Sequence, residues 1–592
     1  MSRYTAPLRE MRYVLYDVLG GEAHFASLPG AENANRELVD AVLDEAAKFN
    51  EQVLAPLNKT GDREGCRFEA GKVTTPKGFK EAYRQFVDGG WSGLTAPEAY
   101  GGQHLPEIVG AIVKEMIDSA NLSWGNYPLL SHGATEALKH HGEEWQREVF
   151  LKAIIEGRWT GTMCLTEPHC GSDLGLLKTK AEPAANDTYR ITGTKIFITA
   201  GEHDFTDNIV HLVLARLPDA PPGTKGISLF IVPKIKTARD GTLGEHNSLS
   251  CGSIEHKMGI TASATCVMNF DAAEGYLIGQ PNRGLMAMFT MMNTARLAVG
   301  LQGLGLMERA YQNALFYARD RLQSRSLTGA KRPDKPADPL IVHPDIRRML
   351  LTQKAFVEAG RALAYRAILL VDQFERGSDA EARKQADDLL GFLTPIVKAV
   401  LTELANECTY HAMQIYGGHG YIAEWGMEQL ARDARITTIY EGTTGIQALD
   451  LLGRKTLQSQ GAGLKLFLTE VADFCAANAG NADVAEFIPV LTQLAQQWQE
   501  LTLHVGKASM ANPDELGAAA VDYLFYSGYV ALAYFSTRLV AAARPQGDAF
   551  LKNKLDTARF YFTRILPRAA THAAAIRAGA ATLMAMDDEA FG

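Results

Sequence analysis

Hydrophobic residues recur at three- and four-residue steps from about residue 37, and this spacing is typical of amphipathic helices. Helical stretches of this kind, interrupted by glycine and proline, continue to about residue 158, and the loop at 95–106 is the clearest break. The preceding residues form a lead segment, and we expect its apolar side chains to pack on the main body of the protein: Tyr4, Met11, Tyr13, Leu15, Tyr16 and Leu19.

The pattern changes between about residues 160 and 280. Apolar residues alternate with polar ones in segment 189–199 (YRITGTKIFIT), and further short runs of β-type composition follow at 211–216, 227–232 and 265–270. Turn-rich pieces separate these runs. Short strands with frequent turns predict a β-barrel or a sandwich.

Long helical patterns return after residue 284. They cover 285–320, 346–376 and 380–416, with a proline- and lysine-rich insertion at 326–344. Long helices with short links predict an antiparallel bundle. The sequence GLQGLG at 300–305 lies inside the first of them, where we expect its glycines to allow close helix packing.

A link rich in glutamine, serine and glycine follows Arg454, and alanine-rich helical segments, such as 529–543 and 569–585, occupy the rest of the chain. The predicted fold class is therefore α+β. The predicted parts are a lead segment (1–36), an N-terminal helical domain (37–160), a central β-barrel (161–280), a four-helix bundle (281–455) and an additional C-terminal helical domain (456–592).

Composition narrows the possible classes of protein. The 592 residues are 46% hydrophobic and 21% charged, which excludes a disordered chain, and the net charge of -9 argues against a nucleic-acid-binding protein. The seven cysteines are widely spaced without a C-x-x-C pair, so we expect reduced thiols and no metal site. The N-terminus lacks the apolar core of a signal peptide, and there is no uninterrupted run of about 18 apolar residues, so we expect no membrane span. We expect a cytoplasmic protein.

Two motifs of the β region carry candidate chemistry. Segment 163–173 (MCLTEPHCGSD) offers hydroxyl and backbone N–H donors beside a glycine, as a flavin or nucleotide requires; the alternative is a polar loop with a helix cap. At the end of the next strand, Phe197 and Thr199 offer side chains that could meet a flat ring, and an ordinary strand end is again the alternative.

Two further motifs lie in the bundle. Segment 414–421 (QIYGGHGY) places three glycines at a helix end, where a helix cap without a ligand is the usual explanation. In segment 439–447 (IYEGTTGIQ), Glu441 lies between apolar residues and a glycine, just before a helix predicted to start near Thr443 or Thr444. Desolvation there would raise the pKa of the carboxyl toward that of a useful base, whereas a helix N-terminus would favour the anion. A capping glutamate is the alternative.

Taken together and in order, these motifs resemble the acyl-CoA dehydrogenase family from about residue 37 to 455. The segments that carry the resemblance are LTEPHCGSD, ITGTKIFIT, 293–300 with Arg296, QIYGGHGY and RDARITTIYEGTTGIQ. The resemblance implies the acyl-CoA dehydrogenase fold, FAD as cofactor, an acyl-CoA substrate, and an electron-transfer flavoprotein as electron acceptor. It also implies a homo-oligomer, a dimer first of all.

The resemblance assigns roles to particular residues. Glu441 matches the catalytic base, and Ser172, Arg296 and Gly442 match substrate-binding positions. Cofactor-binding positions within one subunit are Leu165, Thr166, Ser172, Phe197, Thr199 and Thr443. Arg321, Gln414 and Gly418 match positions that reach the FAD of a neighbouring subunit. Some family members carry the base on an earlier helix, but the matching positions near Ala295 and Asn293 hold no acid here, which favours Glu441 as the sole base.

Segment 253–266 and the C-terminal extension look like a large bacterial subgroup that includes 3-methylmercaptopropionyl-CoA and fatty acyl-CoA dehydrogenases. The implied reaction is α,β-dehydrogenation of a saturated acyl-CoA to a trans-2-enoyl-CoA, as in fatty acid β-oxidation. Alternatives are an acyl-CoA oxidase, a 3-methylmercaptopropionyl-CoA dehydrogenase, a DNA-binding flavoprotein of the alkylation-response type and a scaffold without catalysis. The C-terminal arginines that would serve DNA binding are more simply a solvated face: Arg559, Arg564, Arg568 and Arg577.

Overall fold

The computed structural model describes residues 3–592, and its N-terminal part is mainly helical. The helices are α1 (Leu8–Arg12), α2 (Gly21–Ser27), α3 (Arg36–Phe49), α4 (Ala55–Glu64), α5 (Phe79–Asp88), α6 (Glu107–His141), α7 (Glu144–Gln146) and α8 (Lys152–Ile155). A hairpin of β1 (Arg67–Glu69) and β2 (Lys72–Thr74) was not predicted. Its two turn residues, Ala70 and Gly71, have φ of 50° and 79°. Such turns usually contain Asn-Gly or Asp-Gly, so a turn with alanine at the first position could not be recognised as a hairpin turn from the sequence.

The central part is the predicted β-barrel. Its strands are β3 (Trp159–Cys164), β4 (Lys180–Pro183), β5 (Tyr189–Thr199), β6 (Asn208–Ala215), β7 (Ser228–Pro233), β8 (Ile235–Thr237), β9 (Leu243–His246), β10 (Leu249–Ile254) and β11 (Thr265–Ile278). Seven of them form one sheet in the order β3-β6-β7-β11-β5-β4, with β10 on β11. The amide of Ala181 in β4 donates to the carbonyl of Arg216, the residue after β6, at 2.8 Å, so the sheet turns back on itself. This closure confirms the barrel.

Three long helices follow the barrel: α9 (Gly284–Asp320), α10 (Pro344–Arg376) and α11 (Ala380–Tyr416). Two shorter helices come next: α12 (Met427–Thr437) and α13 (Thr444–Leu449). The first three end within two residues of the predicted bounds. A Cβ added to Gly300 would lie 2.6 Å from Val397, and one added to Gly303 would lie 2.8 Å from the carbonyl of Leu401. The glycines of α9 therefore let α11 approach closely, as predicted.

The C-terminal part contains α14 (Ala462–Ala477), α15 (Ile488–Ala511), α16 (Asp514–Ala541), α17 (Asp548–Phe560) and α18 (Arg568–Ala578). The helical segment expected to reach residue 585 ends at Ala578, because Gly579 takes a left-handed φ of 70° and stops the helix. Among residues 3–592, α16 alone has the length and apolar composition that a membrane span needs. Because 67% of its most apolar window is buried inside the protein, it has the character of a core helix.

The chain divides into two compact units. We call residues 48–110 and 120–298 the barrel unit; its core joins the inner faces of β6 and β7 to side chains of α6 and α8. We call residues 3–47, 111–119 and 299–592 the bundle unit. Within it the lead segment packs as expected: the Tyr13 hydroxyl donates to the carbonyl of Leu539, and Lys554 pairs with Glu10 at 2.5 Å. The domain boundaries given by the sequence stay a prediction.

Candidate active site

The predicted base lies in the bundle unit, in a short loop between α12 and α13 that we call the base loop (residues 441–443). Glu441 is half-buried, and its φ of 55° is unusual for a residue other than glycine. Thr443 is the N-cap of α13, and its hydroxyl accepts a hydrogen bond from the amide of Ile446 at 3.3 Å. The predicted helix start is therefore confirmed, and the carboxylate-bearing residue lies two positions before it.

Three side chains of the bundle unit hold the base loop and the residue before it. The side-chain amide of Gln447 donates to the carbonyl of Glu441 at 3.2 Å, and the ammonium of Lys398 donates to the carbonyl of Gly442 at 2.6 Å. The hydroxyl of Tyr440 donates to the side-chain oxygen of Gln302. Gln447, Lys398 and Gln302 are all fully buried. These contacts fix a strained backbone whose conformation the surrounding structure determines.

The electrostatic surroundings of Tyr440 are acidic. Burial raises the pKa of its phenol well above the ordinary value, and Asp118, Glu441 and Asp433 raise it further. Burial also raises the pKa of Asp118 to about 6, although Lys114 opposes this change. Tyr440 therefore stays a neutral hydrogen-bond donor throughout the physiological pH range.

The second group of predicted residues lies in the barrel unit, on a loop that we call the signature loop (residues 165–178). The Leu165 carbonyl accepts a hydrogen bond from the Lys195 ammonium at 3.1 Å, and the Thr166 carbonyl accepts one from the amide of Ile196 at 2.9 Å. Lys195 also pairs with Glu167 at 2.8 Å, and both side chains are buried. The signature loop is therefore tied to strand β5.

The Glu167 side chain binds several of the groups that attach the signature loop to strand β5. Burial raises the pKa of its carboxyl, but Lys195, the Thr179 hydroxyl and the backbone amide of Lys178 together lower it to about 2. The carboxylate thus stays ionised. With His169 and Cys170 it could place three ligand atoms within 4.8 Å of one another. However, both Glu167 oxygens already accept hydrogen bonds, and the neighbouring ammonium of Lys195 opposes a second cation.

Phe197 is the unusual residue of strand β5. Its side chain is 58% exposed and its φ is 59°, so the strand carries an aromatic ring outward on a left-handed backbone. Neither the exposure of an aromatic ring nor a left-handed backbone at a residue other than glycine stabilises the folded protein. Strain of this kind is typical of a ligand site. Thr199 lies two positions after Phe197 on the same strand, is half-buried, and pairs with Thr265 of β11. An exposed ring and a hydroxyl at this spacing fit a flat aromatic ligand such as a flavin.

The remaining predicted residues are distributed as follows. Ser172 is exposed on the signature loop, and Arg296 is buried in the barrel unit, where its guanidinium donates to the side chain of Asn293 at 3.4 Å. Arg321, Gln414 and Gly418 are exposed in the bundle unit. The structure thus places one group of predicted residues on the signature loop and strand β5: Leu165, Thr166, Ser172, Phe197 and Thr199. A second group lies in the base loop: Glu441, Gly442 and Thr443.

Sequence reasoning missed the residues that hold these loops, above all Lys195, Lys398 and Glu167. A signal was present for the two lysines. Each interrupts an apolar pattern, in ITGTKIFIT and in TPIVKAVL, at a position where a core residue is expected. A lysine in such a place requires a buried partner, because an ammonium without one is costly in an apolar interior.

Comparison with known proteins identifies the family of the chain. Four family models match in order: the acyl-CoA dehydrogenase N-terminal domain (37–158), middle domain (162–273) and C-terminal domain (282–457), then an acetyl-CoA dehydrogenase C-terminal-like domain (467–587). A 3-methylmercaptopropionyl-CoA dehydrogenase of Ruegeria pomeroyi is 44% identical over 95% of this chain and 96% of its own length. The chain belongs to the acyl-CoA dehydrogenase family. Members of this family are FAD-dependent oxidoreductases.

Solved structures show the same fold. An acyl-CoA dehydrogenase of Bacillus anthracis, complexed with FAD, has a TM-score of 0.75 at 20% identity and covers 96% of this chain and 92% of its own. The protein ACDH-11 of Caenorhabditis elegans, in complex with C11-CoA, has a TM-score of 0.79 at 19% identity and covers 95% and 92%. Both likenesses extend through the additional C-terminal helices, so the acyl-CoA dehydrogenase fold with a C-terminal extension is confirmed.

Proposed function

We propose that this enzyme removes two hydrogens from the α and β carbons of a saturated acyl-CoA and that Glu441 is the base. The observation that carries the proposal is the base loop: a half-buried carboxylate on a strained backbone held by buried donors. The acidic residue occupies the position that the family resemblance assigns to the base. The product of this reaction is a trans-2-enoyl-CoA.

The α-proton of a thioester is weakly acidic, so a carboxylate alone is too weak to remove it. The thioester oxygen must be polarised while negative charge develops on it, and the backbone N–H of Glu441 is the donor that the resemblance assigns to this task. When bound, FAD supplies the acceptor for the β-hydride. Leu165, Thr166, Ser172, Phe197, Thr199 and Thr443 would hold it, with Arg321, Gln414 and Gly418 reaching the FAD of a neighbouring copy. Ser172, Arg296 and Gly442 would bind the acyl-CoA.

A fatty acyl-CoA of the β-oxidation type is the first candidate substrate. The second is 3-methylmercaptopropionyl-CoA, because the relative with that activity is 44% identical over almost the whole chain. Reduction of an artificial electron acceptor with straight-chain acyl-CoAs from C4 to C18, compared with the thioether substrate, tests both. A kcat/KM for the thioether at least tenfold above that of every straight-chain substrate would reject the first candidate.

We further propose a homodimer in the cytoplasm that passes electrons to an electron-transfer flavoprotein. None of the seven cysteines is in a disulfide within the described chain, which supports a reducing compartment. The oxidase alternative differs by one product: it predicts hydrogen peroxide in the absence of any electron carrier. The DNA-binding alternative loses support, because Arg559 and Arg568 pair with Glu486 and Glu407, each at 2.7 Å.

Glu441→Gln tests the assigned base. The amide keeps the size of the side chain but cannot accept the α-proton, so we expect turnover to fall by at least about 10²–10⁴-fold while FAD stays bound. The measurements are kcat with an artificial acceptor and the visible absorbance of the purified flavoprotein. A variant that keeps both FAD and near-normal turnover would show that Glu441 is not the base.

A further inference from the structure

Lys398 is a fully buried cation in the middle of α11. Its neighbours in the chain, Val397 and Ala399, are buried as well, and an apolar residue would suit the position. Burying an ammonium costs free energy unless strong partners compensate it. A lysine in this place therefore needs an explanation that helix packing does not supply.

Lys398 contacts the base loop directly. Its ammonium lies 2.6 Å from the carbonyl oxygen of Gly442, a short charge-assisted hydrogen bond. Gly442 follows Glu441 in the chain, so this contact fixes the peptide group between Gly442 and Thr443, one peptide beyond the base. Gln447 holds the carbonyl of Glu441 itself at 3.2 Å.

The backbone of the base loop has little conformational freedom. Gly442 has a φ of 92°, and a Cβ added to it would lie 2.4 Å from the side chain of Gln447. The loop thus needs glycine at this position and a donor that reaches its carbonyl. A displacement of about 1 Å at a reacting group is enough to slow catalysis about 10²-fold.

We propose that Lys398 is a positioning residue that holds the carboxylate of Glu441 in its reactive place by fixing the Gly442 carbonyl. The inference rests on the proposed function, since it requires Glu441 to be the base. Lys398 contacts the backbone of the loop and acts through Glu441, so its loss changes the rate of the chemical step and leaves substrate affinity almost unchanged.

The test compares Lys398→Met with a matched control in the FAD-loaded enzyme. Lys554 is also a buried lysine of the bundle unit, but it pairs with Glu10 at 2.5 Å and Glu358 at 3.1 Å, away from the base loop. We expect Lys398→Met to lower kcat about 10²-fold with KM within about threefold. Lys554→Met should lower the melting temperature and leave kcat per bound FAD unchanged. Equal kcat in Lys398→Met and wild type would overturn the proposal.

A double variant distinguishes a loss of positioning of Glu441 from a general loss of structure. If Lys398 acts through Glu441, adding Lys398→Met to Glu441→Gln lowers kcat no further, because the two residues work as one unit. A further 10²-fold loss in the double variant contradicts the proposal. If Lys398→Met does not load FAD, Lys398→Ala, which also lacks a donor to the Gly442 carbonyl, takes its place in both comparisons.

The same set of variants distinguishes failure of the base assignment from failure of the positioning role. Near-normal turnover in Glu441→Gln removes the base assignment, and the Lys398 proposal fails with it. Loss of turnover in Glu441→Gln together with normal turnover in Lys398→Met removes the positioning role alone.

Discussion

The signature loop and the base loop are each held by a buried lysine, but the lysines act on different partners. In the barrel unit, Lys195 binds the carbonyl of Leu165 and also forms an ion pair with Glu167 at 2.8 Å. In the bundle unit, Lys398 binds the carbonyl of Gly442 at 2.6 Å. Lys195 contacts both a backbone carbonyl of the signature loop and the carboxylate of Glu167, which anchors that loop. Lys398 acts on the Gly442–Thr443 peptide, one peptide beyond the proposed base, so its loss should affect turnover more than folding.

Glu167→Ala tests whether the ion pair with Lys195 anchors the signature loop. It leaves the buried ammonium of Lys195 without its carboxylate, which should lower the free energy of unfolding by about 3–5 kcal/mol. Chemical denaturation of the FAD-free protein measures the change. Arg559→Ala, which removes an exposed ion pair with Glu486, is the control and should cost less than about 1 kcal/mol. A loss at Glu167 no larger than at Arg559 would show that the ion pair does not hold the loop.

The pH dependence of the same ion pair has a definite sign. The pKa of Glu167 in the folded protein is about 2, below its ordinary value of 4.5. Its stabilising contribution is therefore complete above about pH 4.5 and is lost as the pH falls toward 2. The difference in unfolding free energy between wild type and Glu167→Ala should shrink over that interval.

Phe197→Gly tests whether strand β5 binds a ring at a cost to the fold. Glycine adopts the observed φ of 59° without strain, and this gain roughly offsets the loss of a strand residue, so stability should change by less than about 1 kcal/mol. FAD affinity should fall about tenfold, because the aromatic contact is lost. Retained FAD after gel filtration and a titration of FAD into the apoprotein measure this. Phe591→Gly, at a ring that is 75% exposed, is the control and should leave FAD affinity unchanged.

Tyr440→Phe should be the mildest of these substitutions. It removes the hydroxyl that donates to Gln302, which should cost about 1 kcal/mol of stability and lower kcat a few-fold. Urea unfolding and kcat with an artificial acceptor measure the two effects. If kcat falls as far as in Lys398→Met, the Gly442 carbonyl is not the main contact that positions Glu441.

Periodic segments were predictable from the sequence, and so was the order of the parts. Helices α9, α10 and α11 carry long apolar stripes and end near proline, glycine or aspartate, so their bounds were within two residues of the structure. The hairpin at Ala70 was missed, because its turn uses alanine where asparagine or aspartate usually signals the conformation. The C-terminal helix was drawn too long, because the alanine-rich pattern outweighed the stop signal of Gly579.

The site was predictable only as a set of motif positions. Glu441, Phe197 and Thr199 could be named from the order of their motifs, but the positive φ of Glu441 and Phe197 depends on contacts with distant residues. Lys398 precedes Gly442 by 44 positions, and Lys195 follows Glu167 by 28. No local pattern encodes such pairings, since they arise when separate elements pack together.

The arrangement of the chain ends bears on how the protein is made. Tyr13 and Glu10 contact Leu539 and Lys554, so the lead segment can dock only after helices α16 and α17 have been synthesised. The barrel unit, whose residues all precede 299, can mature during translation. We expect the nascent lead segment to be a chaperone client until synthesis is almost complete, and truncations from the C-terminal end to yield insoluble protein.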